Sequence, residues 1–267
     1  MKDTRIAAVI SHSKIYDADY NLIAMDKWLK SANDAGVKIV CFPELNISGY
    51  IIDKKITETA EEIPGRISEK LSRLSVKYNI VILAGMLEKD KNNHIYSSHL
   101  VVKPDGYIGV YRKLHIAPVE KDLFYQGDKV RLFEAQGLKF GIQLCYDAHF
   151  PELSTSMALM GADVIFFPHA SPRKTPDEKL KSWLRHLTAR AFDNSIFVVA
   201  CNQSGRNAGG LYFPGTGIII NPSGEIIERY TGENEEMIVS DLKAKDLDLV
   251  RNHKMRYFLT NRRPDIY

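Results

Sequence analysis

Short apolar runs alternate with amphipathic stretches along almost the whole chain, and this alternation restricts the fold more than any other feature. Residues 6–10 (Ile-Ala-Ala-Val-Ile) read as a buried strand. Residues 17–35 place Leu22, Ile23, Met25, Trp28 and Leu29 at helical spacing before Gly36, and 37–42 form a second buried strand stopped by Pro43-Glu44. A helix over 66–78 and a strand over 80–86 repeat the pattern. Strands at 95–102 and 107–111 flank Pro104-Asp105-Gly106, a turn signal. The second half follows the same plan. Strands are expected at 130–135, 139–147, 164–167 and 196–201, with helices over 151–160 and 179–192 between them. A Gly-rich loop at 204–210 leads to strands near 217–220, 225–229 and 237–240, a short helix at 246–252 and a basic, aromatic tail. Helices and hairpins interleaved with strands predict one α/β domain over 1–267, layered, with mixed rather than purely parallel sheets.

Composition excludes several classes. The net charge of +3 is small for 267 residues, and Lys and Arg are scattered, so neither nucleic acid nor an acidic membrane surface is an expected partner. The first apolar run is too short for a signal-peptide core, and no stretch approaches membrane-spanning length. Three widely separated cysteines, Cys41, Cys145 and Cys201, do not make a disulfide framework; a reduced, cytoplasmic protein is the expectation. The eight histidines show no metal-ligand spacing, so no metal and no other cofactor is expected.

Chemistry enters at strand ends. Cys145 closes an apolar strand before a loop and Pro151, which suits the first turn of a helix. A thiol there is placed like a nucleophile, although a free cysteine also serves as a small buried hydrophobe. Glu44 stands where the second strand stops, and Lys113 follows Tyr111-Arg112 at the end of another. Each alone reads as an ordinary surface charge. Together they put a carboxylate, an ammonium and a thiol at the strand ends where α/β sheets present reacting groups. Cys41 and Cys201 fall inside apolar strands and read as buried and inert, and Arg190 with Asp193 reads as a structural pair on one helix.

Phe42-Pro43-Glu44-Leu45 with Ser48-Gly49-Tyr50, then Tyr111-Arg112-Lys113-Leu114-His115, then Cys145-Tyr146-Asp147 with Phe150-Pro151-Glu152 resemble, in order and spacing, three signature blocks of the carbon–nitrogen hydrolase (nitrilase) superfamily. The resemblance continues to Asn221-Pro222-Ser223-Gly224. It implies a four-layer αββα sandwich and a Glu-Lys-Cys triad. Cys145 would be the nucleophile, Glu44 the general base, and Lys113 the oxyanion stabiliser, helped by the backbone N–H of Tyr146. A buried Glu44 beside Lys113 can stay ionised, and the ammonium favours thiolate at Cys145.

The resemblance also implies that Glu120 orients substrate and that Tyr50, Tyr146 and His149 border the pocket. His169 and Asn202 stand near strand ends, where each either lines the pocket or serves core or loop packing, and Asn202 can cap a turn. His149 stands where relatives acting on ω-amides of dicarboxylic acids often carry Arg, which puts carboxylate-bearing substrates in doubt. Tyr146-Asp147 replaces the Trp-Glu of true nitrilases and points to a small amide or N-carbamoyl substrate. A homodimer or larger homo-oligomer is implied, with the tail at about 253–267 packed at a subunit interface. A reading of another class stays open, a non-catalytic member binding a metabolite or protein partner through the same cleft; a Cys-His protease, with His149 as the best-placed partner, is disfavoured because no histidine sits in a recognisable context.

Overall fold

Each half of the chain delivers its apolar runs to a sheet of its own. The computed structural model describes residues 1–266. The first half contains β1 (Thr4–Ile10), α1 (Ala18–Asp34), β2 (Ile39–Cys41), α2 (Arg66–Tyr78), β3 (Val81–Lys89), β4 (Ile95–Val102) and β5 (Ile108–Arg112). The second begins with β6 (Leu132–Ala135), β7 (Leu138–Ile142), α3 (Pro151–Leu159), β8 (Val164–His169), α4 (Pro176–Leu184), α5 (Leu187–Asn194) and β9 (Phe197–Asn202). It ends with β10 (Gly205–Arg206), β11 (Tyr212–Phe213), β12 (Gly215–Ile220), β13 (Ile226–Gly232), β14 (Glu236–Leu242) and α6 (Ala244–Arg251).

Two six-stranded sheets result, ordered β14-β1-β2-β3-β4-β5 and β13-β12-β9-β8-β7-β6, with β10 and β11 forming a separate two-stranded ribbon. Within them β1, β2 and β3 run parallel, as do β7, β8 and β9, while the flanking strands pair antiparallel. The sheets are therefore mixed, as the interleaved helices and hairpins predict.

The reading of β1 as a continuous apolar run has a direct explanation. Ile6, Ala8 and Ile10 join a core with Phe140, Ile142, Phe166, Ala200 and Ile218 of the other sheet. Ala7 and Val9 pack against Leu22, Met25 and Leu29 of α1 and Leu71 of α2. A strand covered on both faces has no polar side to alternate with. The sheets approach closely at Gly217, where a Cβ would lie 2.6 Å from Ile10 Cδ1.

Several boundaries differ from expectation for identifiable reasons. Asp17 caps α1, its side chain accepting the Tyr20 N–H at 3.0 Å, so it is the cap and not the first turn. The single helix expected at 179–192 is two. Thr175 caps α4 by accepting the Glu178 N–H at 3.2 Å, and Pro176 opens it; this Thr-Pro start signal lies upstream of the apolar spacing. His186, at φ −132° and ψ −37°, separates α4 from α5. Lys179 and Trp183 are the buried residues of α4, whereas α5 buries Leu187, Arg190, Ala191 and Asn194. Arg190 does not form an ion pair with Asp193; its guanidinium donates to Ala148 O at 3.1 Å, just past Cys145.

The tail folds onto its own chain. Leu259 joins the inter-sheet core, Tyr257 packs beside it, and Phe258 meets Phe192 of α5 at 5.4 Å between ring centroids. Tyr267 lies outside the described residues. Among the described residues, no helix is long and apolar enough to cross a membrane.

Candidate active site

The Glu44 segment is built by its neighbours in the sequence block. Asn46 Oδ1 accepts the Gly85 N–H and Ser48 Oγ accepts the Leu87 N–H, each at 2.8 Å, so the turn after β2 is laced to β3. Gly49 has φ +75°, and a Cβ there would lie 2.6 Å from Ile15 Cα, so both conformation and space demand glycine. Glu44 is thus carried into the interior, 1% exposed. Its Oε1 accepts from Lys113 Nζ at 2.8 Å, and its Oε2 from the Ala170 N–H at 3.1 Å. Gln203 Nε2 holds the Glu44 carbonyl at 2.8 Å.

Lys113 follows β5 directly, and its N–H donates to Ser97 O at 2.9 Å, continuing the ladder with β4. Its ammonium is buried and donates also to Glu120, at 2.8 Å to Oε2 and 3.2 Å to Oε1. Glu120 further accepts from Tyr50 OH at 2.8 Å. Asn207, in the Gly-rich loop, donates to Tyr50 O at 2.7 Å, and Phe213 packs edge-on against the Tyr50 ring.

Cys145 opens a 3-10 turn over Cys145–His149 immediately beyond β7 and Leu144. Its φ of +43° lies in the left-handed region, unusual for a residue with a side chain. Strain of this kind persists only where surroundings over-determine it. Asp147 supplies that determination. Fully buried, it accepts from Leu144 N at 3.0 Å, and from Tyr111 OH, His115 N and His115 Nδ1 at 2.8 Å each. Arg190 holds the next carbonyl, and the thiol itself is only half-buried.

The thiol feels the charges of Glu44, Lys113, Lys179 and Glu120. Burial, then Glu44, push it up to about 12 against the opposing pull of Lys113 and Lys179. The ammonium of Lys113 favours the thiolate, as expected, while burial and the carboxylates oppose it. Burial also raises Glu44, with Lys113 acting against that rise and Glu120 adding to it. For Lys113, burial works downward, but Glu44 and Glu120 more than reverse it and the ammonium is held well above its ordinary value.

The remaining expected residues are placed variously. Tyr146 and His149 meet edge-on at 5.6 Å, and His149, exposed, lies 4.9 Å from His186 between ring centroids. His169 is buried against Trp183 at 4.7 Å, its Nδ1 within 2.8 Å of Phe167 O. Asn202 is fully buried and committed to backbone: it accepts from Ser171 N and donates to Ser171 O and Pro214 O. That makes it a clamp on two loops rather than a group free to meet a ligand, because both its carbonyl and its amide are engaged. Cys41 and Cys201 are buried, as expected. No cluster of three or more metal-ligating side chains occurs among the described residues.

Sequence reading missed Asp147 as an organiser and missed Lys179 altogether. The signal for Lys179 was a lysine four residues before Trp183, on the apolar side of its helix.

Comparison with known proteins agrees with this geometry. The family model Carbon-nitrogen hydrolase matches residues 5–252. The chain is 33% identical over 260 residues to a nitrilase of Pyrococcus abyssi, covering 94% of this chain and 93% of that one. It is 28% identical over 272 residues to an N-carbamoylputrescine amidase of Solanum lycopersicum, covering 94% and 89%. Among solved structures, a carbon–nitrogen hydrolase superfamily protein of Xanthomonas campestris superposes with a TM-score of 0.88 at 21% identity over 98% of both chains, which speaks to the fold. Two mixed sheets between helices, with this sequence kinship, define a hydrolase of C–N bonds. The chain belongs to the carbon–nitrogen hydrolase (nitrilase) family.

Proposed function

We propose that the protein is a thiol amidohydrolase, cleaving a non-peptide C–N bond of a small amide or N-carbamoyl compound through a thioester on Cys145. The observation that carries the reading is Lys113, buried and bridging Glu44 and Glu120, with the thiol of Cys145 in the field of all three. A purely structural lysine has no need of two buried carboxylates, and a binding cleft has no need of the thiol.

In this reading Glu44 takes the Cys145 proton as sulfur attacks the carbonyl carbon, so thiolate forms only with substrate in place. The raised position of Glu44 suits it as a base, since proton transfer is most effective when acceptor strength nears working pH. Lys113 and the Tyr146 N–H receive the developing oxyanion. Glu44 returns its proton to the departing nitrogen, which leaves as ammonia or amine. It then takes a proton from the water that attacks the thioester, and the acid and free thiol are released. Glu120 holds Lys113 and Tyr50 at the site's wall. Tyr146-Asp147 after the cysteine favours amides over nitriles.

The test is ammonia release from aliphatic amides, ω-amides, N-carbamoyl compounds and the corresponding nitriles. Turnover of an amide or N-carbamoyl compound, lost in Cys145→Ala, is expected. Turnover of nitriles alone would make the protein a nitrilase, and ligand binding without any turnover would make it a non-catalytic binder.

A further inference from the structure

A second buried ammonium lies near the site and has no role in the proposed reaction. Lys179, in the first turns of α4, is 3% exposed. Lys113 has two carboxylate partners; the ammonium of Lys179 has neither an ion pair nor a hydrogen bond to any described residue. Its Nζ lies 5.0 Å over the Trp183 ring. Trp183 packs on His169, and the next residue, Ala170, donates its N–H to Glu44. Trp183 and His169 thus connect Lys179 to the segment that holds Glu44, and both Cys145 and Glu44 lie within its field.

Lys179 also lies in the field of Arg173 on the preceding loop, and it acts in turn on His149, His169 and His186; Asp177 and Glu178 precede it in the first turn of α4 but make no ion pair with it among the described residues. Burial, with Arg173 adding to it, brings Lys179 down to about 8, which still leaves most of it charged at neutral pH. Trp183 Nε1 and His186 Nε2 are also buried without partners. A buried cation without a counter-ion is costly unless something else supplies one. At the edge of a substrate site, that counter-ion is a ligand's.

Resting on the amidohydrolase reading, we infer that Lys179 is a specificity-determining residue whose ammonium receives a carboxylate at the non-reacting end of the substrate. The substrate class is then a short monoamide of a dicarboxylic acid or an N-carbamoyl amino acid. The absence of Arg at His149 does not exclude such compounds, because the cation arrives from α4 instead. A substrate ending in an ammonium would meet a like charge.

The experiment compares three matched pairs: succinamate with butyramide, glutaramate with pentanamide, and N-carbamoyl-β-alanine with propylurea. N-carbamoylputrescine serves as the cationic member. The wild type should prefer the acid in at least one pair by about 50-fold or more in kcat/KM. Lys179→Met should lower kcat/KM for the acid at least about 30-fold more than for its neutral match, and Lys179→Arg should restore part of the preference. Calorimetric affinities of the same compounds on Cys145→Ala and on Cys145→Ala with Lys179→Met read the anchor without turnover. Preference for neutral or cationic members, or an equal loss on both members of every pair, overturns the inference and leaves the hydrolase reading standing. Acid-selective binding that needs Lys179, without turnover of any compound, sustains the anchor and overturns the hydrolase reading.

Discussion

Lys113 Nζ donates to Glu44 Oε1 at 2.8 Å, and neither side chain is more than 1% exposed. Such a pair, once desolvated, is costly to break from one side, because the partner left behind remains charged in the interior. Glu120 shares the load. Glu120→Ala is expected to destabilise the fold by about 3–5 kcal/mol. Tyr50→Phe, which removes only the hydroxyl donated to Glu120, is expected to cost about 1 kcal/mol. Urea unfolding of the variants measures both, and equal costs would contradict the account.

Asp147 governs how Cys145 is held. In Asp147→Asn one acceptor oxygen becomes a donor amide facing N–H and O–H groups, so at least one buried donor loses its partner. A loss of about 2–3 kcal/mol in stability is expected, together with a fall in kcat as the left-handed turn at Cys145 relaxes. Tyr111→Phe should cost about 1 kcal/mol. Chemical denaturation and steady-state kinetics report the two effects separately.

The pH profile follows from the site's charges. Glu44 must be ionised to accept the thiol proton, and its carboxyl is raised above the ordinary value of 4.5. On a neutral amide, kcat/KM should therefore climb with pH through a midpoint above that value and then level off. With the thiol pushed up to about 12, no second rise from free thiolate should appear below about pH 9. Glu44→Gln should lower kcat by about 10³. A single rise near pH 8 to 9, kept in Glu44→Gln, would mean that thiolate forms without Glu44.

Lys179 carries a stability signature separate from catalysis. Burial lowers it from 10.5 to about 8, so the folded state holds this proton less tightly than the unfolded chain does. The penalty is on the order of 3 kcal/mol, fully present below pH 8 and removed as pH rises from 8 towards 10.5. Lys179→Met should accordingly be more stable than wild type at pH 7, with the gain shrinking by pH 10. Denaturant midpoints at the two pH values decide it.

The layered fold and the strand-end positions of Glu44, Lys113 and Cys145 were legible because they rest on local patterns: apolar runs, breakers and their order. What stayed hidden depends on depth and on distant partners. The pull on the Cys145 thiol comes first from its own burial and then from Glu44, against Lys113 and Lys179, which spacing does not report. Asn202 at a strand end reads equally as a pocket residue or a cap on a turn, and its clamp on Ser171 and Pro214 exists only once three segments meet. The split between α4 and α5 concealed Lys179, since a helix read as beginning there makes its lysine a solvated flank.

The central claim is that Cys145 carries the acyl group. Intact-mass and peptide analysis of enzyme acid-quenched during turnover of a small amide tests it most directly. The account predicts a mass increase equal to the acyl moiety, mapped to Cys145 and absent in Cys145→Ala, which releases no ammonia. Ammonia release by Cys145→Ala at the wild-type rate, or an adduct mapped to another residue, would contradict it.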